Sequence, residues 1–69
     1  MKKIRFLTGT TMLEMIELWA EDKYTIECGL FLQYPAENGK YIACDNLTQD
    51  CWVEEFDTLP EAMDWLLGL

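Results

Sequence analysis

The spacing of hydrophobic and polar residues changes several times along the chain, and each change marks an element. Residues 2–7, Lys-Lys-Ile-Arg-Phe-Leu, alternate polar and apolar and predict a short strand. Residues 8–11, Thr-Gly-Thr-Thr, read as a turn. Thr11 and Glu14 stand at capping-box spacing, which predicts a helix from about residue 12 to residue 22. Met12, Met15, Ile16, Trp19 and Ala20 share one face of it; Glu14, Glu17 and Glu21 share the opposite one. Over residues 24–34, Tyr24, Ile26, Cys28, Leu30, Leu32 and Tyr34 alternate with Thr25, Glu27, Gly29, Phe31 and Gln33, the longest strand signal in the chain. Residues 35–39 form a hairpin loop whose Asn-Gly supplies the positive φ such loops need. A strand at 40–45, a polar loop at 46–50 and a strand at 51–56 follow. Thr58 and Glu61 repeat the capping-box spacing, Pro60 suits a first helical turn, and Leu59, Ala62, Met63, Leu66 and Leu67 make the apolar face of a closing helix.

Pairing parity then assigns faces. With residue 34 opposite 40 and 44 opposite 51, one sheet face carries Ile26, Cys28, Leu30, Leu32, Ile42, Cys44, Cys51 and Val53, all apolar. The other carries Glu27, Phe31, Gln33, Tyr41, Ala43, Trp52, Glu54 and Phe56. The expected fold is α+β in one domain: a small antiparallel three- to four-stranded sheet with two helices packed on one face, in the order (β)αβββα. That arrangement leaves Phe31, Tyr41 and Trp52 together on an open aromatic-acidic face, and large exposed apolar patches mark interfaces.

Composition narrows the function. The chain has 69 residues, 51% hydrophobic and 13% aromatic, too apolar for a disordered segment. Its 13 acids face five bases and no His, a net charge of −8. From residue 6 onward only Lys23 and Lys40 oppose all 13 acids, a net of −11. Direct binding to nucleic acid or to an anionic membrane is not expected on this balance, because phosphate neutralisation needs clustered Lys and Arg. The complementary partner is a basic protein. The basic start is followed by too short an apolar run for a signal core, and no run approaches a membrane span, so a cytoplasmic protein is expected.

Chemistry-bearing motifs are sparse. Asp45, Asn46, Thr48 and Asp50 crowd one loop, but the glycine and glutamate of an EF-hand loop are missing, and turn formation accounts for them. Asn46-Leu47-Thr48 is a glycosylation sequon without a secretory context. Cys28, Cys44 and Cys51 are odd in number and lack C-x-x-C spacing, which argues against a disulfide framework or a zinc site; small buried thiols are expected. Cys44 and Cys51 bracket the 46–50 loop, so a bridge is geometrically possible, though a reducing cytoplasm disfavours it. With no His, no nucleophile–base pair and no phosphate-cradling loop, no catalytic residue, metal or cofactor is expected.

The acids offer more. Glu14, Glu17 and Glu21 form one row; Asp57, Glu61 and Asp64 form a second, with Glu54 nearby. Carboxylates on a rigid scaffold can occupy the phosphate sites of a basic groove. The expected binding set is these seven acids with Phe31, Tyr41 and Trp52. The ending, Trp52-Val53-Glu54-Glu55-Phe56-Asp57-Thr58-Leu59-Pro60-Glu61-Ala62-Met63-Asp64-Trp65-Leu66, resembles the strand–capped-helix ends of small phage and mobile-element proteins. In size and acidity the chain is similar to phage-encoded inhibitors of bacterial defence, the anti-CRISPR proteins, several of which mimic DNA. That resemblance implies a non-enzymatic inhibitor of a basic nucleic-acid-binding protein, such as a CRISPR effector or another defence nuclease. The alternative is an accessory protein that dimerises or binds a partner through the aromatic sheet face.

Overall fold

A computed structural model describes residues 3–8, 11–33 and 39–69. The middle of the expected 8–11 turn and residues 35–38 of the hairpin loop lie outside the described residues. The elements are β1 (Ile4–Leu7), α1 (Met12–Glu21), a 3-10 turn (Lys23–Thr25), β2 (Leu30–Gln33), β3 (Tyr41–Asp45), β4 (Trp52–Phe56) and α2 (Leu59–Leu67). The class is α+β, and the order β-α-β-β-β-α is the expected one. The four strands lie in the order β1-β2-β3-β4. β1 runs parallel to β2 and the other pairs are antiparallel, so the sheet is mixed rather than antiparallel. A parallel pair cannot be joined by a tight hairpin, and α1 serves as the crossover between β1 and β2.

The two helices cover opposite faces of this sheet, not one face. Met12, Met15 and Trp19 of α1 pack with Phe31 and Cys44, flanked by Leu7, Ile16, Ile42 and Cys51. Ala62 and Leu66 of α2 pack with Leu30, Leu32 and Ala43, flanked by Ile4, Tyr41 and Phe56. The cause is a one-residue difference in register. Leu32 lies opposite Ala43 and Phe31 opposite Cys44, whereas the expected pairing set Leu32 against Ile42. Because side chains alternate, that shift moves Leu30 and Leu32 to the face opposite Cys44. Between β3 and β4 the difference is two residues, Cys44 lying opposite Val53, and Ile42, Cys44 and Val53 keep a common face as expected. Leu30-Phe31-Leu32 is apolar at three consecutive positions and all three are buried, the pattern of a strand covered on both sides.

Both helices start as their sequences require. The Thr11 hydroxyl accepts from the Glu14 N–H at 3.1 Å, and the Thr58 hydroxyl from the Glu61 N–H at 3.4 Å. The Met12 N–H, a donor without an intrahelical partner, is taken by Gln33 Oε1 at 2.6 Å, which fixes the start of α1 to the end of β2. α2 ends at Gly68, whose φ of 75° is left-handed, a conformation glycine adopts without a Cβ penalty.

The expected long strand begins late. Asp22 turns the chain instead: its carboxylate accepts from the Tyr24 N–H at 3.0 Å, and its backbone carbonyl from the Thr25 hydroxyl at 2.6 Å. Residues 26–28 lie outside any strand, and Cys28 is exposed rather than shielded. This stretch is held by Asn46, which is 1% exposed. Its backbone exchanges bonds with Gly29, at 3.2 and 2.8 Å. Its side-chain Nδ2 donates to the Glu27 carbonyl at 2.6 Å, and its Oδ1 accepts from the Cys51 N–H at 3.0 Å. One buried amide thus joins the approach to β2, the end of β3 and the approach to β4.

Phe31→Ala and Leu32→Ala should each lower the unfolding free energy in urea, by about 3–5 and 2–5 kcal/mol respectively, because each empties a different covered face. A neutral result at either position would mean that face is open. Asn46→Ala should cost about 2–6 kcal/mol, at roughly 1–3 kcal/mol for each of the two backbone groups left without its partner. Stability equal to wild type would show that water replaces the amide.

Candidate functional site

α1 carries the acidic row that its sequence promises, on the face turned from the sheet. Glu14, Glu17 and Glu21 are all exposed. Glu14 also closes the helix cap: its Oε1 accepts from the Thr11 hydroxyl at 3.2 Å. Glu17 and Glu21 have no such task. They lie four residues apart, where like charges repel along a helix. Glu21 also ends α1, where the macrodipole favours a cation, and no basic residue occupies that last turn. Both features work against local stability, by a few tenths of a kcal/mol each.

The same ridge holds apolar groups. Leu13 is 65% exposed and Leu18 51%. Leu13 lies one turn from Glu17, and Glu14 one turn from Leu18, so the two leucines flank the row of carboxylates, Leu13 on one side and Leu18 on the other. Beside it a cleft of about 360 Å³ is lined by Leu18, Glu14 and Met15 of α1, by Arg5, Phe6 and Leu7 of β1, and by Glu27. Arg5 and Glu27 form an ion pair there. The exposed leucines are what sequence reasoning missed; both fall outside the apolar stripe of Met12, Met15, Ile16 and Trp19, which was the available signal.

The second acidic row lies on the other side of the sheet. Asp57 is paired with Lys40, and its hydrogen bond to the ammonium raises the Lys40 pKa above the ordinary lysine value. Glu61 Oε1 accepts from the Thr58 hydroxyl at 2.8 Å, so it is a cap residue as Glu14 is. Asp64 is exposed in the last turn of α2, again without a basic neighbour in that turn. Trp65 of α2 packs on Phe56 of β4, ring centroids 5.7 Å apart, so this flank of the helix faces β4. Glu54 is exposed on β4. The sheet therefore separates Glu14, Glu17 and Glu21 from Asp57, Glu61 and Asp64, and one flat partner surface cannot meet both rows.

The expected aromatic face does not exist. Phe31 is 2% exposed, beneath α1, with its ring edge-on to Trp19 at a centroid distance of 5.4 Å. Tyr41 is half-buried in the α2 cluster on the opposite face. Of the three, Trp52 alone is on the surface, 63% exposed on edge strand β4. The register shift that buries Leu32 under α2 is what turns Phe31 under α1.

The described residues contain no group of three or more His, Cys, Asp or Glu placed to hold a metal ion, and none of their helices is long and apolar enough to cross a membrane. No family model, curated protein or solved structure matches the chain.

The division of labour among the acids is measurable. Thr11→Ala and Thr58→Ala should lower stability by about 0.5–2 kcal/mol through loss of the caps. Glu21→Gln should leave stability unchanged or raise it by about 0.3–1 kcal/mol. Urea midpoints at constant slope report both. A loss at Glu21 as large as at Thr11 would give that glutamate a structural role and remove it from the binding surface.

Proposed function

We propose that this chain is a non-enzymatic, cytoplasmic protein-binding module that lays the outer ridge of α1 into the basic groove of a nucleic-acid-handling protein. The ridge stands in for nucleic acid and blocks the groove, as a phage-type inhibitor of a CRISPR effector or other defence nuclease would. The observation that carries this reading is the flanking of Glu14, Glu17 and Glu21 by exposed Leu13 and Leu18. Carboxylates alone would serve solubility. Leucines beside them serve contact, and the acids at 17 and 21 act against helix stability. From Glu14 to Glu21 the row spans about 10 Å at ~1.5 Å per residue, long enough to meet several lysines or arginines of such a groove. Each exposed pair contributes at most ~1 kcal/mol, so the array and the leucines must act together.

The exposure of Trp52 favours a second reading, an accessory protein that binds or dimerises through the β4 edge. It now rests on that one aromatic and on Glu54 rather than on a face.

The test is a salt titration of the partner captured from host lysate, with Glu17→Lys/Glu21→Lys, Leu18→Ser and Trp52→Ala variants. Glu14 is left intact because it caps the helix. The double reversal should weaken binding by about tenfold or more, equivalent to ~1.4 kcal/mol or above, and wild-type affinity should fall as the Debye length shrinks to ~8 Å at physiological salt. Binding that ignores both the reversal and the salt, yet is lost in Trp52→Ala, would replace this reading with the second.

A further inference from the structure

Cys44 and Cys51 stand apart from the acidic ridge and have a chemistry of their own. Their sulfurs are 3.9 Å apart, Cys44 at the core of the α1 face and Cys51 half-buried beside it. Cys51 precedes β4, and its backbone is held in place: its N–H donates to Asn46 Oδ1 at 3.0 Å, and its φ of 54° is left-handed, rare for a residue with a side chain. The pair brackets the 46–50 turn, in which Asp45 Oδ1 accepts from the Leu47 N–H at 3.2 Å and Asp50 Oδ2 from the Thr48 hydroxyl at 2.6 Å. A disulfide needs the sulfurs to close by about 2 Å, which side-chain rotation at a position anchored like Cys51 can supply.

Access is also built in. Cys51 lines a cleft of about 230 Å³ together with Ile16, Trp19, Ala20, Ile26 and Gln49. The cleft offers a small disulfide a route to Cys51, whereas Cys44 is fully buried. From this geometry we infer that Cys44 and Cys51 form a thiol–disulfide exchange site, oxidised by a low-molecular-weight disulfide to a bridge that locks the 46–50 turn. In the first step the Cys51 thiolate attacks one sulfur of the reagent disulfide, giving a mixed disulfide on Cys51 and releasing one reagent thiol. In the second, Cys44 attacks the Cys51 sulfur, the protein bridge forms, and the second reagent thiol leaves. The two thiol hydrogens and two electrons of the protein end on the reagent, which departs as two thiols. Cys44 is fully buried, and burial first, and then the neighbouring Cys51 sulfur, push its thiol up to about 12, so Cys51 attacks the reagent first and Cys44 is the resolving thiol.

Cys28 is the internal control. It is exposed, and its sulfur accepts from Gln49 Nε2 at 3.2 Å rather than from a second thiol. The test uses the reduced full chain, held in native buffer across a series of reduced and oxidised glutathione ratios, then acid-quenched, alkylated and peptide-mapped by mass. A parallel series is run in denaturant. The native series should give one species two hydrogens lighter, with the bridge mapped to Cys44 and Cys51; it should persist in Cys28→Ser, and Cys44→Ala should trap glutathione on Cys51. The denatured series should give a mixture of pairings. If the native chain gives that same mixture, or takes glutathione on Cys28 while Cys44 and Cys51 stay alkylatable, the site is not an exchange site. The wild-type mapping decides this even if a variant fails to fold.

Discussion

Three apolar side chains in a row, Leu30, Phe31 and Leu32, constrain the whole molecule. A strand sends neighbours to opposite faces, so this run cannot be shielded from one side. Water must be excluded above and below β2, and among the described residues two α-helices are there to do it. α1, the crossover between parallel strands, takes the face of Phe31 and Cys44. α2, returning from β4, takes the face of Leu30, Leu32 and Ala43. Arg5 of β1 also lies opposite Phe31, its guanidinium 6.0 Å from the ring centroid, so the edge strand helps seal the same position.

The double cover has a consequence for the surface. With both sheet faces occupied, the groups left to meet a partner are the outer sides of the helices and the two edge strands. The acids, though clustered in sequence, are divided between two sides. Within each group they divide again: Glu14 and Glu61 complete caps and Asp57 neutralises Lys40, while Glu17, Glu21 and Asp64 do nothing visible for the fold. A negative charge at the C-terminal end of each helix is a local conflict, and such conflicts in a consistent sequence concentrate where function is served.

Much of this was legible in the residues. Both helix starts were written in Thr11/Glu14 and Thr58/Glu61, and the strand–turn–strand run from 40 to 56 in its alternation. The register of β2 was not. Parity across a hairpin depends on the exact pairing, and a one-residue difference in register reverses every side chain of the strand. The run Leu-Phe-Leu was the better guide, since an open face would not hold Phe31 between two leucines. Residues 24–29 misled because Tyr24, Ile26 and Cys28 keep a strand period, yet Asp22 offers its carboxylate to the backbone and turns the chain first. Asn46 could not be singled out, because a turn-forming Asn and a buried amide with a partner at each end look alike in sequence. The exposed leucines of α1 were legible as departures from its stripe, whereas the burial of Phe31 depended on the register.

The proposed contact is the outer ridge of α1, where Glu17 and Glu21, which do not serve the fold, are flanked by Leu13 and Leu18, which do not serve the core. The most direct measurement is residue-level mapping of that contact. Backbone amide spectra of isotope-labelled chain should be recorded with increasing amounts of the captured basic partner, at low and at physiological salt. The account predicts that perturbations centre on Leu13, Glu17, Leu18 and Glu21, weaken with salt, and leave β4 and α2 unchanged. Perturbations centred on Trp52 and Glu54, with the α1 ridge silent, would contradict it.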